Sequence, residues 1–175
     1  MKPIDPSVAK KIALAVFDVD GVMTDGKITY TSNGEETKSF DIRDGLGIKL
    51  LSQAGITVAI VTGRHSPMVK QRALDLGIGE VIQGREDKLV ALSELCTQHG
   101  IELDATAYMG DDLPDLSAVA SAGLGAAPAN GHPTVKGVAK WITESRGGDG
   151  AVREFAEALL LARGQWQQVV EAFSK

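Results

Sequence analysis

Apolar runs that end abruptly in polar or acidic residues recur along this chain, and that recurrence limits the folds open to it. Ile12 to Phe17 is continuously apolar and stops at Asp18, Ile56 to Val61 leads into Thr62, and Ala105 to Met109 stops at Gly110-Asp111-Asp112. A short apolar run bounded this way is how a strand buried on both faces reads when it delivers polar groups at its C-terminal edge. Val81-Ile82 and Gly123 to Ala127 add two shorter strands. Between them lie helical patterns: Gly45 onward through Leu46, Ile48, Leu50 and Leu51 to a stop at Gly55, Ser66-Pro67 through Leu76, Lys88 to His99, and Leu113 to Ala120. Proline at the start and glycine past the end are ordinary punctuation for such helices. Strand and helix alternate, which predicts right-handed crossovers and an α/β fold: a three-layer, Rossmann-like parallel sheet with helices on both faces.

Two segments stand outside that alternation. Lys27 to Thr31 and Glu36 to Asp41 flank Ser32-Asn33-Gly34, a turn signal that predicts a β-hairpin over 27–41 directly after the first strand. The segment 147–175 reads as a C-terminal tail and helix. Ala151 to Ala162 carries Val152, Phe155, Leu159 and Leu160 on one face, and Gly164 to Lys175, with Trp166, Val169, Val170 and Phe173, continues as a helix expected to pack on a neighbour. With 175 residues the whole chain, 1–175, fits one domain. The intervals from Asp20 to Thr62 and from Thr62 to Lys88 are too short for a second folded unit that could cover a site at the sheet edge.

The formal net charge of −5 argues against a broad basic face, so no nucleic-acid partner is expected. No apolar stretch approaches the roughly 20 residues needed to span a bilayer, and Met1 to Lys11 lacks the order of a signal peptide, so no membrane partner and a cytoplasmic location are expected. Cys96, the one cysteine, lies among Leu92, Leu95 and His99 and reads as buried packing in a reducing compartment. His65, His99 and His132 lack metal-ligand spacing and read as structural or surface groups.

The strand ends carry the chemistry. Asp18 and Asp20 leave the first strand, Thr62 the second, and Asp111, Asp112 and Asp115 the fourth, all at the edge where parallel sheets bind ligands. Taken one at a time, carboxylates after strands are often only solvated loop or helix caps. Gathered together they repel, and without a cation one of them would have to hold a proton near neutral pH. Magnesium, which takes few carboxylates and keeps waters or phosphate oxygens, suits Asp18 and Asp111 better than calcium or zinc does. Asp18 and Asp20, two apart in an extended segment, point the same way and can divide nucleophilic and acid–base duty. For a transferring phosphoryl group, Lys88, Thr62 and the turn from Asp20 to Met23 can supply the remaining donors.

These residues fall into four ordered segments: FDVDGVMTDG from Phe17 to Gly26, VTGR from Val61 to Arg64, Lys88, and GDDLPD from Gly110 to Asp115. The set resembles the four motifs of the haloacid-dehalogenase (HAD) superfamily. That resemblance implies a HAD-like fold without a large cap, Asp18 as nucleophile and metal ligand, Asp20 as general acid–base with its carbonyl on Mg2+, Asp111 as the other metal ligand, and Thr62 and Lys88 on phosphate oxygens. Capless members borrow a neighbouring subunit, so it also implies a homo-oligomer, commonly a tetramer, with the hairpin assembling across subunits. TDG at Thr24 to Gly26, DIRDGLGIK from Asp41 to Lys49, VTGRHS from Val61 to Ser66 and GGDGAVRE from Gly147 to Glu154 are similar to the 3-deoxy-D-manno-octulosonate 8-phosphate (KDO 8-phosphate) phosphatase subfamily. By position, that likeness implies substrate contacts at Asp20, Asp41, Ile42, Arg43, Asp44, Gly45, Lys49, Arg64, Arg72 and Lys88, some of them from an adjacent subunit. Arginine forks match a sugar-acid carboxylate, although a nine-carbon sialic-type acid 9-phosphate would offer the same group. A non-enzymatic receiver-like signalling domain also gathers carboxylates and magnesium at a sheet edge, but it needs no second carboxyl at Asp20. The stretch RGGDGAVRE reads as a flexible glycine linker that caps the next helix through Asp149, or as a tail that reaches a neighbouring site; Asp149 stands where the subfamily pattern has a basic residue.

Overall fold

The computed structural model describes residues 3–174. A short helix, α1 (Pro6–Lys11), starts where Asp5 accepts the Ser7 backbone N–H and Pro6 fills the first turn, and it leads into β1 (Leu14–Phe17). The predicted hairpin follows, with strands of only two residues each, β2 (Thr29–Tyr30) and β3 (Glu36–Thr37), paired antiparallel. Helix α2 (Ile42–Gln53) begins three residues before the expected Gly45, because Asp41 caps it by accepting the Arg43 N–H. Then come β4 (Thr57–Thr62), α3 (Pro67–Leu76), β5 (Glu80–Gln83) and α4 (Lys88–His99). The fourth sheet strand, β6 (Thr106–Met109), is followed by a 3-10 turn over Leu113–Asp115 and by α5 (Leu116–Ser121), so the single helix expected from Leu113 is split. β7 (Leu124–Ala127), α6 (Pro133–Val138), β8 (Trp141–Ile142), α7 (Ala151–Ala162) and α8 (Trp166–Phe173) complete the order.

The six-stranded sheet runs β5-β4-β1-β6-β7-β8 and every pairing in it is parallel. Burial explains why its central strands read as unbroken apolar runs. Ala15 and Phe17 of β1, Val58 and Ile60 of β4, and Ala107 and Met109 of β6 pack on one face with Ile48 and Leu51 of α2 and Val152, Phe155 and Leu159 of α7. Leu14 and Val16, Ala59 and Val61, and Tyr108 pack on the other with Leu92 and Leu95 of α4 and Val119 of α5. The period of two assigns alternate residues to opposite layers, and both layers are covered. Phe155 meets Phe17 and Trp141 edge-on, with centroids 6.0 and 5.7 Å apart. Trp141, on the edge strand β8, is core, and Cys96 is buried packing as expected.

At the C-terminus, α8 lays Trp166 and Val169 against the core of its own chain, with the Arg153 guanidinium 5.8 Å from the Trp166 ring, and leaves Val170 and Phe173 exposed. Among the described residues no helix is long and apolar enough to cross a membrane.

Candidate active site

Register puts the strand ends level. Phe17 of β1 lies beside Ile60 of β4 and Met109 of β6, so Asp18, Thr62 and Gly110-Asp111 emerge at one edge. Asp18, Thr62 and Asp111 line a cavity of about 320 Å³ together with Asp20, Gly26, Ile28, Gly63, Arg64, Glu86, Lys88, Asp112, Pro114 and Asp115.

After β1 the chain turns on a single carbonyl. Val19 O accepts the N–H groups of Val22, Met23 and Thr24, and Thr24 Oγ1 both donates to that carbonyl and accepts from Gly21 and Gly26 N–H. Gly21, at φ +95°, is required twice: a Cβ there would be strained and would lie 2.1 Å from Asp111 Oδ2. The loop carrying Asp18 thus closes onto the loop carrying Asp111.

Lys88 opens α4 and its side chain is buried. Its Nζ donates to Asp18 Oδ1 at 2.8 Å and to Val61 O at 2.9 Å, and it lies 3.6 Å from Asp115 Oδ1. Asp115 is an organiser of the cluster: Tyr108 OH donates to its Oδ1 at 2.8 Å, and Asp111 N–H donates to its Oδ2 at 3.1 Å. The Tyr108 phenol is held protonated, its pKa pushed up by burial and then by Asp115.

Oxygens of Asp18, Asp111 and Asp115 lie within 4.8 Å of one another. Burial first, then Asp115, raises the Asp18 pKa despite Lys88. Burial first, then Asp18, pushes Asp111 up to about 7. One ammonium therefore does not neutralise the group, and an all-oxygen cluster with surplus negative charge fits a hard divalent cation. Asp18 and Asp111 are the better ligands, because both Asp115 oxygens are already engaged by protein donors.

Thr62 is buried at the end of β4, its Oγ1 3.5 Å from the Arg64 N–H. Arg64 reaches Glu36 Oε2 of the hairpin at 2.6 Å. Sequence reasoning missed Lys38, whose side chain is 2% exposed and pairs with the Asp20 carboxylate and with Glu36 Oε1. The spacing of Glu36 and Lys38, two apart where the chain leaves β3, is the one sequence signal that they share a side, and nothing in it brings them to Asp20.

The remaining expected substrate contacts do not line this cavity. Asp41 caps α2 and holds Arg43, which also reaches Asp149 Oδ1 at 2.8 Å. Ile42 and Lys49 are exposed. Asp44 is buried, with Arg153 N–H donating to its Oδ1 at 2.8 Å. Arg72 packs over Phe40, donates to Asp41 O at 3.0 Å and occupies the space that a Cβ on Gly45 would need. These residues form a second polar group at the start of α2.

The glycine stretch corrects an expectation. Asp149 does not cap α7: the N-cap is Gly150, without a side-chain hydrogen bond, because the Asp149 carboxylate is turned to Arg43. Nor is the stretch a loose linker. Gly147 N–H donates to Asn130 Oδ1 at 2.8 Å, Gly148 N–H donates to Val22 O at 2.9 Å, and a Cβ on Gly147 would lie 1.7 Å from Gly21 O. The pair sits on the loop after β1 of its own chain.

A family model described as haloacid dehalogenase-like hydrolase matches residues 75–155. The 3-deoxy-D-manno-octulosonate 8-phosphate phosphatase KdsC of Salmonella typhimurium is 43% identical over 166 residues, 93% of this chain and 88% of that one. The crystal structure of 3-deoxy-D-manno-octulosonate 8-phosphate phosphatase from Moraxella catarrhalis, in complex with magnesium, phosphate and KDO, superposes with a TM-score of 0.94 at 49% identity, covering 96% of this chain and 97% of the other. The cobalt-bound phosphatase of Haemophilus influenzae superposes with a TM-score of 0.91 at 40% identity, covering 96% and 99%.

Proposed function

This chain belongs to the 3-deoxy-D-manno-octulosonate 8-phosphate phosphatase family of haloacid dehalogenase-like hydrolases, and we propose that it hydrolyses that sugar phosphate to the free sugar acid and phosphate. The observation that carries the reading is the meeting of Asp18, Asp111 and Lys88 at one sheet edge. Magnesium, held by Asp18, Asp111 and the Asp20 carbonyl, supplies positive charge against the carboxylates and the phosphoryl oxygens.

In the first half-reaction an Asp18 oxygen attacks phosphorus, the bond from phosphorus to the sugar oxygen breaks, and that oxygen takes a proton from the Asp20 carboxyl. In the second, water attacks the phosphoaspartate, yields a proton to the Asp20 carboxylate, and the Asp18–phosphorus bond breaks to release phosphate. Lys88 neutralises charge beside the nucleophile, and Thr62 binds a phosphate oxygen. The short Thr62–Arg64 and Glu86–Lys88 segments frame the cavity where that phosphate fits.

Asp41, Ile42, Arg43, Asp44, Gly45, Lys49 and Arg72 are assigned to the sugar acid through a second subunit, since they do not line the cavity of their own chain. We infer from the family resemblance that the working form is a homo-oligomer, a tetramer of single-domain chains in the cytoplasm, which would bring that second subunit to the site. Its test is a screen of sugar phosphates with and without Mg2+, including a nine-carbon acid 9-phosphate. The eight-carbon substrate should be preferred, and Asp18→Asn should lose at least about 1,000-fold in kcat while its circular dichroism is unchanged. Preference for the nine-carbon acid would reassign the substrate, and wild-type turnover by Asp18→Asn would refute the mechanism.

A further inference from the structure

We propose that Lys38, carried just beyond β3 on the hairpin, is a positioning residue for the Asp20 carboxyl; this rests on the phosphatase reading above, in which Asp20 is the acid–base group. Burying an ammonium is costly unless it is paired, and the Lys38 side chain, 2% exposed, is paired on both sides. Its Nζ holds Asp20 Oδ1 and lies 3.4 Å from Glu36 Oε1, while Glu36 Oε2 takes Arg64 at 2.6 Å. Asp20, Lys38, Glu36 and Arg64 form one continuous chain of opposite charges from the loop after β1, through the hairpin, to the end of β4.

The arrangement fixes one oxygen of Asp20 and leaves the other for the reaction. Proton transfer needs an oxygen within hydrogen-bond reach of the sugar oxygen, and a carboxyl on a loop has side-chain torsions that would otherwise spread over several rotamers. With Oδ1 anchored by Lys38, the Oδ2 proton passes to the sugar oxygen as the phosphorus–oxygen bond breaks, and the electron pair of that bond stays with the departing alcohol. Asp18 needs no such help, because Lys88, itself held by donating to the Val61 carbonyl, already fixes it from the other side.

A positioning role has a signature that simple damage to the site lacks: it matters most where the leaving group must be protonated. A sugar alkoxide needs the proton, and a nitrophenolate does not. The experiment is rapid-quench single turnover of the Mg2+-loaded enzyme on 3-deoxy-D-manno-octulosonate 8-phosphate and on p-nitrophenyl phosphate, measuring release of the alcohol or phenol. Lys38→Met should slow release of the sugar by about 30-fold or more, release of nitrophenol by about threefold or less, and leave KM for the sugar phosphate within about twofold. Lys38→Arg should restore most of the sugar rate. Should Lys38→Met fail to fold, Lys38→Gln carries the same comparison. Equal slowing on both leaving groups, or a higher KM with kcat unchanged, overturns the proposal and leaves the Asp18 mechanism standing. Absence of turnover by the wild type on both compounds would instead overturn the phosphatase reading itself.

Discussion

Asp18, Asp111 and Asp44 all sit where burial disfavours their charge, and they differ in what can relieve it. Asp18 and Asp111 share a cluster that a cation neutralises. Asp44 has no such outlet: its Oδ1 accepts from Arg153, its Oδ2 is buried without a partner, and burial, ahead of the Asp41 charge, pushes its pKa up to about 6. The sign follows from linkage. The folded state binds this proton more tightly than the unfolded chain does, so Asp44 favours the fold at low pH, and that contribution is lost as the pH rises from about 4 through about 6. Its charge therefore costs stability at neutral pH. Asp44→Asn keeps the acceptor for Arg153 and removes the charge, so urea unfolding at pH 7.5 should show the variant more stable by roughly 1–2 kcal/mol, with the gain shrinking as the pH falls below about 6 and gone by about pH 3. A gain that does not vary with pH would mean that the carboxyl is not the source. Because Asp18 and Asp111 titrate with the same sign, the comparison is between variant and wild type at each pH.

At the scale of elements, the loop after β1 is shaped from outside itself. Gly147 and Gly148 approach it so closely that their side-chain positions are filled by the Gly21 carbonyl and by the Thr24–Asp25 backbone. Backbone cannot swing aside as a side-chain tip can. Gly147→Ala should therefore displace Gly21, and with it the Asp111 carboxylate packed on Gly21, destabilising the chain by about 1–3 kcal/mol and weakening the thermal stabilisation given by Mg2+. Gly137→Ala, with open space around it on α6, is the matched control and should be neutral or slightly stabilising. An undiminished magnesium shift in Gly147→Ala would separate the glycine pair from the metal site. None of this clamp was legible in the sequence, where GGDG reads equally as a linker, because it depends on contact between segments more than 100 residues apart. The sheet was legible for the opposite reason: strands buried on both faces write an uninterrupted apolar signal, and α4 and α7 carry enough apolar spacing to fix their ends. The short elements α1, α6 and β8 were not seen, since six residues or fewer hold too little periodicity, and β8 is recognised only by its pairing with β7. The acidic cluster was readable because register follows from strand ends, while the pairing of Lys38 with Asp20 required the hairpin to fold back over the edge.

For the molecule as a whole, the two polar groups raise a geometric question. Asp18, Lys88 and the acidic cluster line one cavity, whereas the Asp41, Arg43 and Arg72 group at the start of α2 does not line it with them. If the second group serves the reaction, it serves a site on another copy, and catalysis becomes a property of the interface. Subunit mixing tests this directly. In the proposed mechanism Asp18→Asn would lack the nucleophile but keep its α2 group, and Arg43→Ala would keep the nucleophile but lack the sugar-acid contact. Each alone should be nearly inactive at low substrate concentration. Equal amounts, dissociated and reassembled together, place an intact Asp18 opposite an intact Arg43 in roughly a quarter of randomly paired sites, so activity should recover to about that fraction of wild type. Recovery to that level, dependent on reassembly, is the result expected of a shared site. Activity that never exceeds the sum of the two separate variants would keep Arg43 out of its neighbour's cavity, and its contacts with Asp41 and Asp149 would then serve only to anchor the start of α2.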